Sequence, residues 1–309
     1  MLIVITGSSG FLGSNLIKIF LKNNHKVIGI DRVKKKNLNN KNYIFYKCDL
    51  NDEKSLNKIK IMEKNILLHC AGQPSAAKSF EDPIVDLKAN IFVTVKILNW
   101  AKKNNTKKII YASTFNVYKE NNKSIKLKET DICDPKSLYA ISKKSGEDYI
   151  RLLGSYFGIK WNILRMFNIY GPGQDPQNNF LGMVSIFLNM AKSNKEIIVK
   201  GSLDRFRDFI FIDDVVEVWY RIANSKKHFN KIYNLGSGKK TKINSLLKKI
   251  IQISNSKSLI KQENGTPGDF KGCYANIDSL KKDFNYTPQV NLETGLKLFN
   301  KWLDKLYVH

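Results

Sequence analysis

Cysteine and histidine are both scarce in this chain, with four of each among 309 residues. The cysteines (Cys48, Cys70, Cys133 and Cys273) stand far apart, with no CxxC pair and no histidine at ligand spacing. That excludes a zinc ribbon and a disulfide framework, so the thiols read as reduced and no metal is expected. His25, His228 and His309 share no ligand spacing, and His69, at the end of an apolar run, reads as a packed core residue. No apolar stretch approaches the roughly 20 residues that cross a bilayer. The opening Met1-Leu-Ile-Val-Ile-Thr-Gly7 has no basic leader before glycine and serine set in. A cytoplasmic protein without a membrane partner is expected.

Acid is scarce as well: 27 Asp and Glu face 52 Lys and Arg, a net charge of +25. Nucleic acid is the first partner such a balance suggests. Yet only six of the cations are arginine (Arg32, Arg151, Arg165, Arg205, Arg207, Arg221), and the lysines are scattered from Lys18 to Lys305 among Asn and Ile. Readers of nucleic acid favour arginine forks in a concentrated stripe. The lysines therefore read as solvated faces, and no nucleic-acid partner is expected. With 42% hydrophobic and 26% charged residues the chain is globular, neither disordered nor fibrous. Its length suits one large α/β domain or two modest ones.

The first half alternates strand and helix patterns. Residues 2–6 are continuously apolar and end in glycines, as a strand buried on both faces should. Residues 11–21 then set Phe11, Leu12, Leu16, Ile17 and Phe20 at helical spacing. Further strands are expected at 26–31, 43–48, 66–69 and 108–113, with helical stretches between, notably 86–103. Right-handed β-α-β crossovers in this order imply a doubly wound parallel sheet. The second half is less regular. A sixth strand fits 161–165, helices fit 184–191, 213–223, 245–253 and 292–306, and short strands fit 196–199, 209–212 and 232–234. Gly/Pro loops mark 170–177 and 265–268. The expected division is 1–167, with 209–236 returning to it, against a smaller mixed α/β substrate lobe of 168–208 and 237–309. Asp213 and Asp214, opening a helix, need no role beyond favouring its N-terminus.

Thr6-Gly7-Ser8-Ser9-Gly10-Phe11-Leu12-Gly13 joins the first strand to the first helix. Glycines there permit a tight turn and close approach of backbone to a pyrophosphate seated on the helix N-terminus. A lone triplet, here spaced GxxGxxG, is weak evidence. The strand before it, the amphipathic helix after it and Asp31, near the place of a ribose-binding carboxylate, strengthen it. Asp31 favours NAD, since a 2′-phosphate would meet its charge; Arg32 and the lysines of 34–36 pull toward NADP. NAD is the expected cofactor. Asp49-Leu50 and Cys70-Ala71-Gly72 follow the third and fourth strands and are expected to edge the adenine and nicotinamide riboses.

Ser137-Leu138-Tyr139-Ala140-Ile141-Ser142-Lys143 contains Tyr-x-x-x-Lys. On a helix the two share a face, so the Lys143 ammonium can lie near the Tyr139 phenol and lower a pKa that starts near 10. Tyr139 then becomes a candidate general base. The fifth strand ends in Ser113-Thr114, hydroxyls suited to hold a substrate oxygen beside it.

The glycine loop, the Ser113-Thr114 strand end and Tyr139-x-x-x-Lys143 resemble the extended short-chain dehydrogenase/reductase family of NAD-dependent nucleotide-sugar epimerases and dehydratases. Tyr111-Ala-Ser-Thr-Phe-Asn-Val-Tyr118, Leu164-Arg-Met-Phe-Asn-Ile-Tyr-Gly171, Arg207-Asp-Phe-Ile-Phe-Ile-Asp-Asp-Val215, Tyr233-Asn-Leu-Gly-Ser-Gly238 and Gly268-Asp269 continue the resemblance in order along nearly the whole chain. It implies a Rossmann-type fold and bound NAD, with Thr114, Tyr139 and Lys143 as catalytic hydroxyl, proton-transfer tyrosine and ribose-bridging lysine. It adds Asn90 and Phe167 to the cofactor contacts, beside Gly7, Gly10, Phe11, Leu12, Gly13, Asp31 and Arg32. Asn168 and Arg207 match residues that grip the sugar-nucleotide diphosphate, Asn179 a uridine-side contact, and Ser113, Asp269 and Cys273 complete the substrate set. A homodimer through helices at 86–103 and 138–153 is implied too.

Two departures narrow the chemistry. Sugar-nucleotide 4,6-dehydratases follow the catalytic threonine with Asp-Glu as acid and base, where this chain has Phe115 and Asn116. Neither transfers protons in that way, which disfavours dehydration. Thr266 stands where some 4-epimerases place an arginine toward the diphosphate. Position 273 matches the gate at C2 of the hexose, and the small Cys273 leaves room for an N-acetyl group as well as a hydroxyl. The expected activity is C4 epimerisation of a UDP-hexose or UDP-N-acetylhexosamine through a 4-keto intermediate. A nucleotide-linked sugar reductase or dehydrogenase of surface-polysaccharide synthesis, and a nucleotide-binding regulator without turnover, remain open alternatives at this point.

Overall fold

Five runs enriched in β-branched, Leu or aromatic residues take up the extended pleat such residues favour. They form β1 (Leu2–Thr6), β2 (Lys26–Asp31), β3 (Tyr43–Lys47), β4 (Asn65–His69) and β5 (Thr106–Thr114) in a computed structural model that describes residues 1–34, 38–120, 125–178, 182–265 and 272–307. The sheet order is β3-β2-β1-β4-β5, continued by Lys160–Met166 and Lys231–Leu235 to seven strands, and β1 to β5 pair in parallel. The chain builds outward from β1 to β3, then crosses back to β4, so the order reverses between β1 and β4. Thr6 lies level with Ile30 on one side and His69 on the other, and the loops after these strands carry the glycine and cysteine motifs. This carboxyl-end switch point is where doubly wound sheets bind ligands.

Helix α1 (Phe11–Lys22) buries Leu16, Ile17 and Phe20. The stretch expected as a single helix from residue 86 starts earlier and is interrupted: Pro83–Leu87, a π-helical turn at Lys88–Phe92, then Val93–Lys103. Asp82 caps its start, accepting the Val85 N–H at 2.9 Å. Trp100 is buried there and donates its indole N–H to the Ile59 carbonyl at 2.9 Å.

Lys108 departs from the expectation of solvated lysines. It is buried, its ammonium donating to the Ile222 and Ser225 carbonyls at 2.6 and 3.0 Å, near the end of helix Ile212–Asn224. A cation suits a helix C-terminus, while burial pulls the Lys108 pKa down to about 8.

The chain divides into two compact units. The first comprises Met1–Val117, Ser137–Arg165 and Val216–Tyr233, and the second Tyr118–Lys136, Met166–Val215 and Asn234–His309. Within the second, short strand pairs replace a continuous sheet: Ile125–Leu127 with Cys273–Ala275, Asn168–Tyr170 with Phe209–Phe211, Ile197–Lys200 with Ile260–Glu263, and Phe206–Arg207 with Thr241–Lys242. Fully buried Asp208 ties these pieces together. Its carboxylate accepts the Ser237 N–H (2.7 Å) and hydroxyl (2.6 Å), the Gly238 N–H (2.9 Å) and the Ala275 N–H (3.0 Å). Asp214 is not merely a helix-opening acid: it accepts the Tyr286 hydroxyl and the Gln289 and Val290 N–H groups.

Among the described residues no helix is long and apolar enough to cross a membrane, and no group of three His, Cys, Asp or Glu could hold a metal. No disulfide joins any of the four cysteines.

Replacing Asp208 by Ala strands four donors at once, the buried Ala275 N–H and three partly buried ones, and a buried donor left unsatisfied costs about 1–3 kcal/mol. Asp208→Ala should therefore lower stability by roughly 3 kcal/mol or more, read as a shift of the urea midpoint. A shift worth less than about 1 kcal/mol would contradict this account of the second unit.

Candidate functional site

In the first unit the site begins at the turn after β1. Gly7 has φ +66, and a Cβ there would stand 2.8 Å from the Ala71 nitrogen; one at Gly13 would stand 2.2 Å from the Gly7 carbonyl oxygen. The turn is closed so tightly on the Cys70-Ala71-Gly72 loop and on α1 that only glycine fits. Gly10, the residue ahead of α1, offers no side chain to the first N–H groups of Phe11 and Leu12. Backbone donors at a helix start, reached through side-chain-free turns, suit a pyrophosphate, so these residues fit a dinucleotide. Asp31, at the end of β2, accepts the Ser9 and Val33 N–H groups at 2.9 and 3.1 Å, and Arg32 follows it. Asp49 and Leu50 follow β3, where Asp49 accepts the Asn51 N–H and Leu50 is buried.

Helix Leu138–Tyr156 carries Tyr139, Lys143 and Glu147 at successive four-residue steps on its buried stripe. Ser137 caps it, accepting the Ala140 N–H at 3.2 Å. The Thr114 hydroxyl, at the end of β5, acts on the Tyr139 phenol and favours its ionised form. The Lys143 ammonium lies 4.2 Å from the centre of the Tyr111 ring, whose face attracts a cation. The expected lowering of the tyrosine is absent in the chain itself: burial pushes Tyr139 up to about 12, with Thr114 pulling down and Asp86 pushing up. Burial likewise pulls Lys143 down to about 8 against Cys70, Glu147 and Asp86. Beneath them His69 is fully buried and held neutral, its pKa pulled to about 3 by burial and by Lys143. Its Nδ1 meets the Thr6 hydroxyl at 2.7 Å and its Nε2 the Thr94 oxygen at 3.2 Å. His69 is a core group.

Several residues that hold this arrangement escape motif reading. Glu147 makes a buried two-pronged pair with Arg165, at 2.9 Å to Nε and 2.7 Å to Nη2, and accepts the Ser113 hydroxyl at 2.5 Å. Asn90, inside the π turn, accepts the Gln73 N–H (3.1 Å) and donates to Asp86 and Ser142 (3.0 Å each). Gly72 lies against it: a Cβ there would be 2.5 Å from the Asn90 oxygen and 3.8 Å from Lys143 Nζ. The four-residue step from Lys143 to Glu147 was visible in the sequence; Gln73 and Asp86 gave no signal.

In the second unit the Asn168 N–H and side-chain amide both donate to the Asp208 carbonyl at 3.0 Å, and Phe167 donates to the Leu235 carbonyl at 2.9 Å. Arg207 is buried, its guanidinium donating to the Phe206 carbonyl at 2.8 Å. Burial lowers its pKa to about 10, with Cys273 and Glu120 opposing. Buried Cys273 is pushed up to about 12 by burial, with Arg207 pulling down. Arg207, Cys273 and Asn168 thus belong to one unit, and the glycine loop, Thr114, Tyr139 and Lys143 to the other. Asn179, Thr266 and Asp269 lie outside the described residues.

Known proteins share this pattern. The sequence pattern of the NAD-dependent epimerase/dehydratase family matches residues 3–236. The chain is similar to the crystal structure of a Thermotoga maritima UDP-glucose 4-epimerase with UDP-glucose, at 31% identity and TM-score 0.91, covering 99% of this chain and 100% of that one. A Bacillus cereus UDP-glucuronic acid 4-epimerase in complex with UDP-glucuronic acid and NAD is 28% identical at TM-score 0.88, covering 99% and 100%. A Methanobrevibacter ruminantium UDP-N-acetylglucosamine 4-epimerase is 29% identical at TM-score 0.88, covering 98% of each chain.

Removing the Glu147 carboxylate leaves Arg165 buried without its counter-charge, which typically costs about 3–5 kcal/mol. Glu147→Ala should lower the urea midpoint accordingly. A loss under about 1 kcal/mol would show that the pair does not hold the strand end in place.

Proposed function

The chain belongs to the NAD-dependent epimerase/dehydratase family, and we propose that it interconverts C4 epimers of a UDP-hexose or UDP-N-acetylhexosamine. The observation that carries this reading is the grouping of Thr114, Tyr139 and Lys143 in the unit that also holds the tight glycine turn. The 4-epimerases with UDP-glucose, UDP-glucuronic acid and UDP-N-acetylglucosamine specificity that share the fold along the whole chain support it. Phe115, buried in the short helix after Thr114, and Asn116 supply no acid-base pair for eliminating water.

In this reading Gly7, Gly10, Gly13 and the first N–H groups of α1 hold the pyrophosphate of NAD, and Asp31 its adenine ribose. NAD bound there would supply a hydride acceptor for the oxidation and a hydride donor for its reversal. Thr114 holds the substrate C4 oxygen and Tyr139 removes its proton as the carbon is oxidised. Lys143 stabilises the phenolate and bonds the ribose. Once the keto sugar has turned over, Tyr139 would return the proton to the C4 oxygen. The chain's own work is positioning and electrostatics. By their match to the family, Arg207, Asn168 and Asn179 are assigned to the diphosphate and uridine, and Cys273 to the substituent at C2 of the sugar. The enzyme works in the cytoplasm, where free thiols stay reduced.

The same reading includes a homodimer. On helix Leu138–Tyr156, Ile141, Tyr149, Leu152 and Tyr156 share the face opposite the Tyr139 stripe and are 42–81% exposed. Phe80, Ile84, Val85 and Phe92 are 46–57% exposed on the neighbouring helical stretch. So much exposed apolar surface on packed helices suits an isologous interface. Light scattering should find a dimer at micromolar concentration; a monomer would contradict it.

Tyr139→Phe keeps the ring and removes the proton, so turnover of UDP-glucose should fall by roughly 10²–10⁴-fold with folding intact. Wild-type turnover in this variant would refute the role of Tyr139. For the sugar, the wild type should epimerise both UDP-glucose and UDP-N-acetylglucosamine, and Cys273→Tyr should suppress the second selectively. An unchanged substrate ratio would remove Cys273 from the gate.

A further inference from the structure

At the far end of the first unit's sheet, four lysines (Lys107, Lys108, Lys160 and Lys226) line a pocket of about 230 Å³, with Ile66 and Phe229 as apolar lining. Ile66 is the second residue of β4, Lys107 and Lys108 are the second and third of β5, and Lys160 opens the strand Lys160–Met166. These are the amino ends of the strands, whereas the glycine turn and Thr114 lie at the carboxyl ends. The six steps of β5 from Lys108 to Thr114 alone span roughly 20 Å. The pocket is separate from the site described above.

Lys108 is 4% exposed, yet it lines this pocket. An ammonium carries three N–H donors. Two go to the Ile222 and Ser225 carbonyls at 2.6 and 3.0 Å, and the charge stands 4.6 Å from the centre of the Phe229 ring. Among the described residues no carboxylate pairs with Lys108 or with the other three lysines. Carbonyls and a ring face offer only partial negative charge, so a buried cation is left without a counter-ion. Capping the end of helix Ile212–Asn224 accounts for two of its N–H groups. It does not account for three more unpaired lysines around the same opening.

We propose that this pocket is a second ligand site, which takes a small phosphate monoester with its phosphate on Lys108 and its apolar body against Ile66 and Phe229. The inference is independent of the epimerase reading. A phosphate monoester is close to dianionic at neutral pH, and lysine meets phosphate as a point charge. Lys107, Lys160 and Lys226 are exposed, so each draws the anion in and adds little to its hold. Lys108 is desolvated, and its remaining N–H gives the strong, charge-assisted bond. The volume falls below the roughly 300 Å³ at which pockets for drug-sized ligands begin, which leaves no room for a whole dinucleotide.

The test is a calorimetric titration of the full chain with phenyl phosphate at low salt, with NAD and UDP saturating so that the site already described is filled. One site per chain is expected, and phenyl phosphate should bind about tenfold more tightly than inorganic phosphate because its ring buries apolar surface. Lys108→Met keeps the length of the side chain and removes its charge. It should weaken binding by about tenfold or more, the worth of one charge-assisted hydrogen bond. Lys160→Gln and Lys226→Gln change exposed positions and should each weaken it by about two- to fivefold with folding intact. Lys54→Gln, at an exposed position outside the pocket, should leave it unchanged, whereas a general attraction to the chain's +25 charge would weaken alike with each lysine removed. If Lys108→Met folds poorly, the double variant Lys160→Gln, Lys226→Gln decides by the same comparison. Affinity unchanged in the pocket variants, an equal loss in Lys54→Gln, or benzoate bound as tightly as phenyl phosphate would overturn the proposal.

Discussion

A lysine buried on the inner face of one helix is the constraint around which the first unit is arranged. Lys143 is 5% exposed, and burying an ammonium is costly unless charge and hydrogen-bonding partners surround it. The ring of Tyr111 lies under it, and Glu147, a further turn along, is tied down by Arg165 and holds Ser113. Asn90 joins Asp86 and Ser142 in one network, and a side chain at Gly72 would run into the Asn90 oxygen. Each of these residues makes sense as support for one charge.

The second unit solves a different problem. Its strands are two to four residues long, too short to form a sheet that holds itself together. Buried acids take over: Asp208 gathers the Ser237-Gly238 turn and the Ala275 strand, and Asp214 fixes the stretch around Tyr286 and Val290. Arg207 and Cys273 are therefore placed by hydrogen-bonded carboxylates more than by apolar packing.

Legibility in the sequence followed local regularity. The strands of the large sheet could be read because apolar runs bounded by Gly, Asp or His carry their own signal, and β1 and β2 match their expected bounds. The glycine turn could be read because only glycine tolerates its close contacts. The π turn could not: inserting one residue into a helical stretch leaves the apolar spacing nearly unchanged. Asp86 gave no signal in the sequence, because the side chains that bond its buried carboxylate, Gln73 and Asn90, meet it only in the fold. The pairing of Ile125–Leu127 with Cys273–Ala275 is equally silent, since three residues carry no period. The direction of the Tyr139 pKa was misjudged for a related reason. Helix spacing put lysine and tyrosine on one stripe, but in the folded chain burial dominates the Tyr139 pKa, with Thr114 pulling it down and Asp86 pushing it up.

The account turns on a dinucleotide held by the glycine loop and recycled within one catalytic cycle. Its most direct test is to denature the purified protein and identify the nucleotide released. The account predicts NAD, in an amount approaching one per chain, and epimerase turnover that needs no added cofactor. Release of NADP, or of no nucleotide from a protein that turns over only with added reduced cofactor, would contradict it.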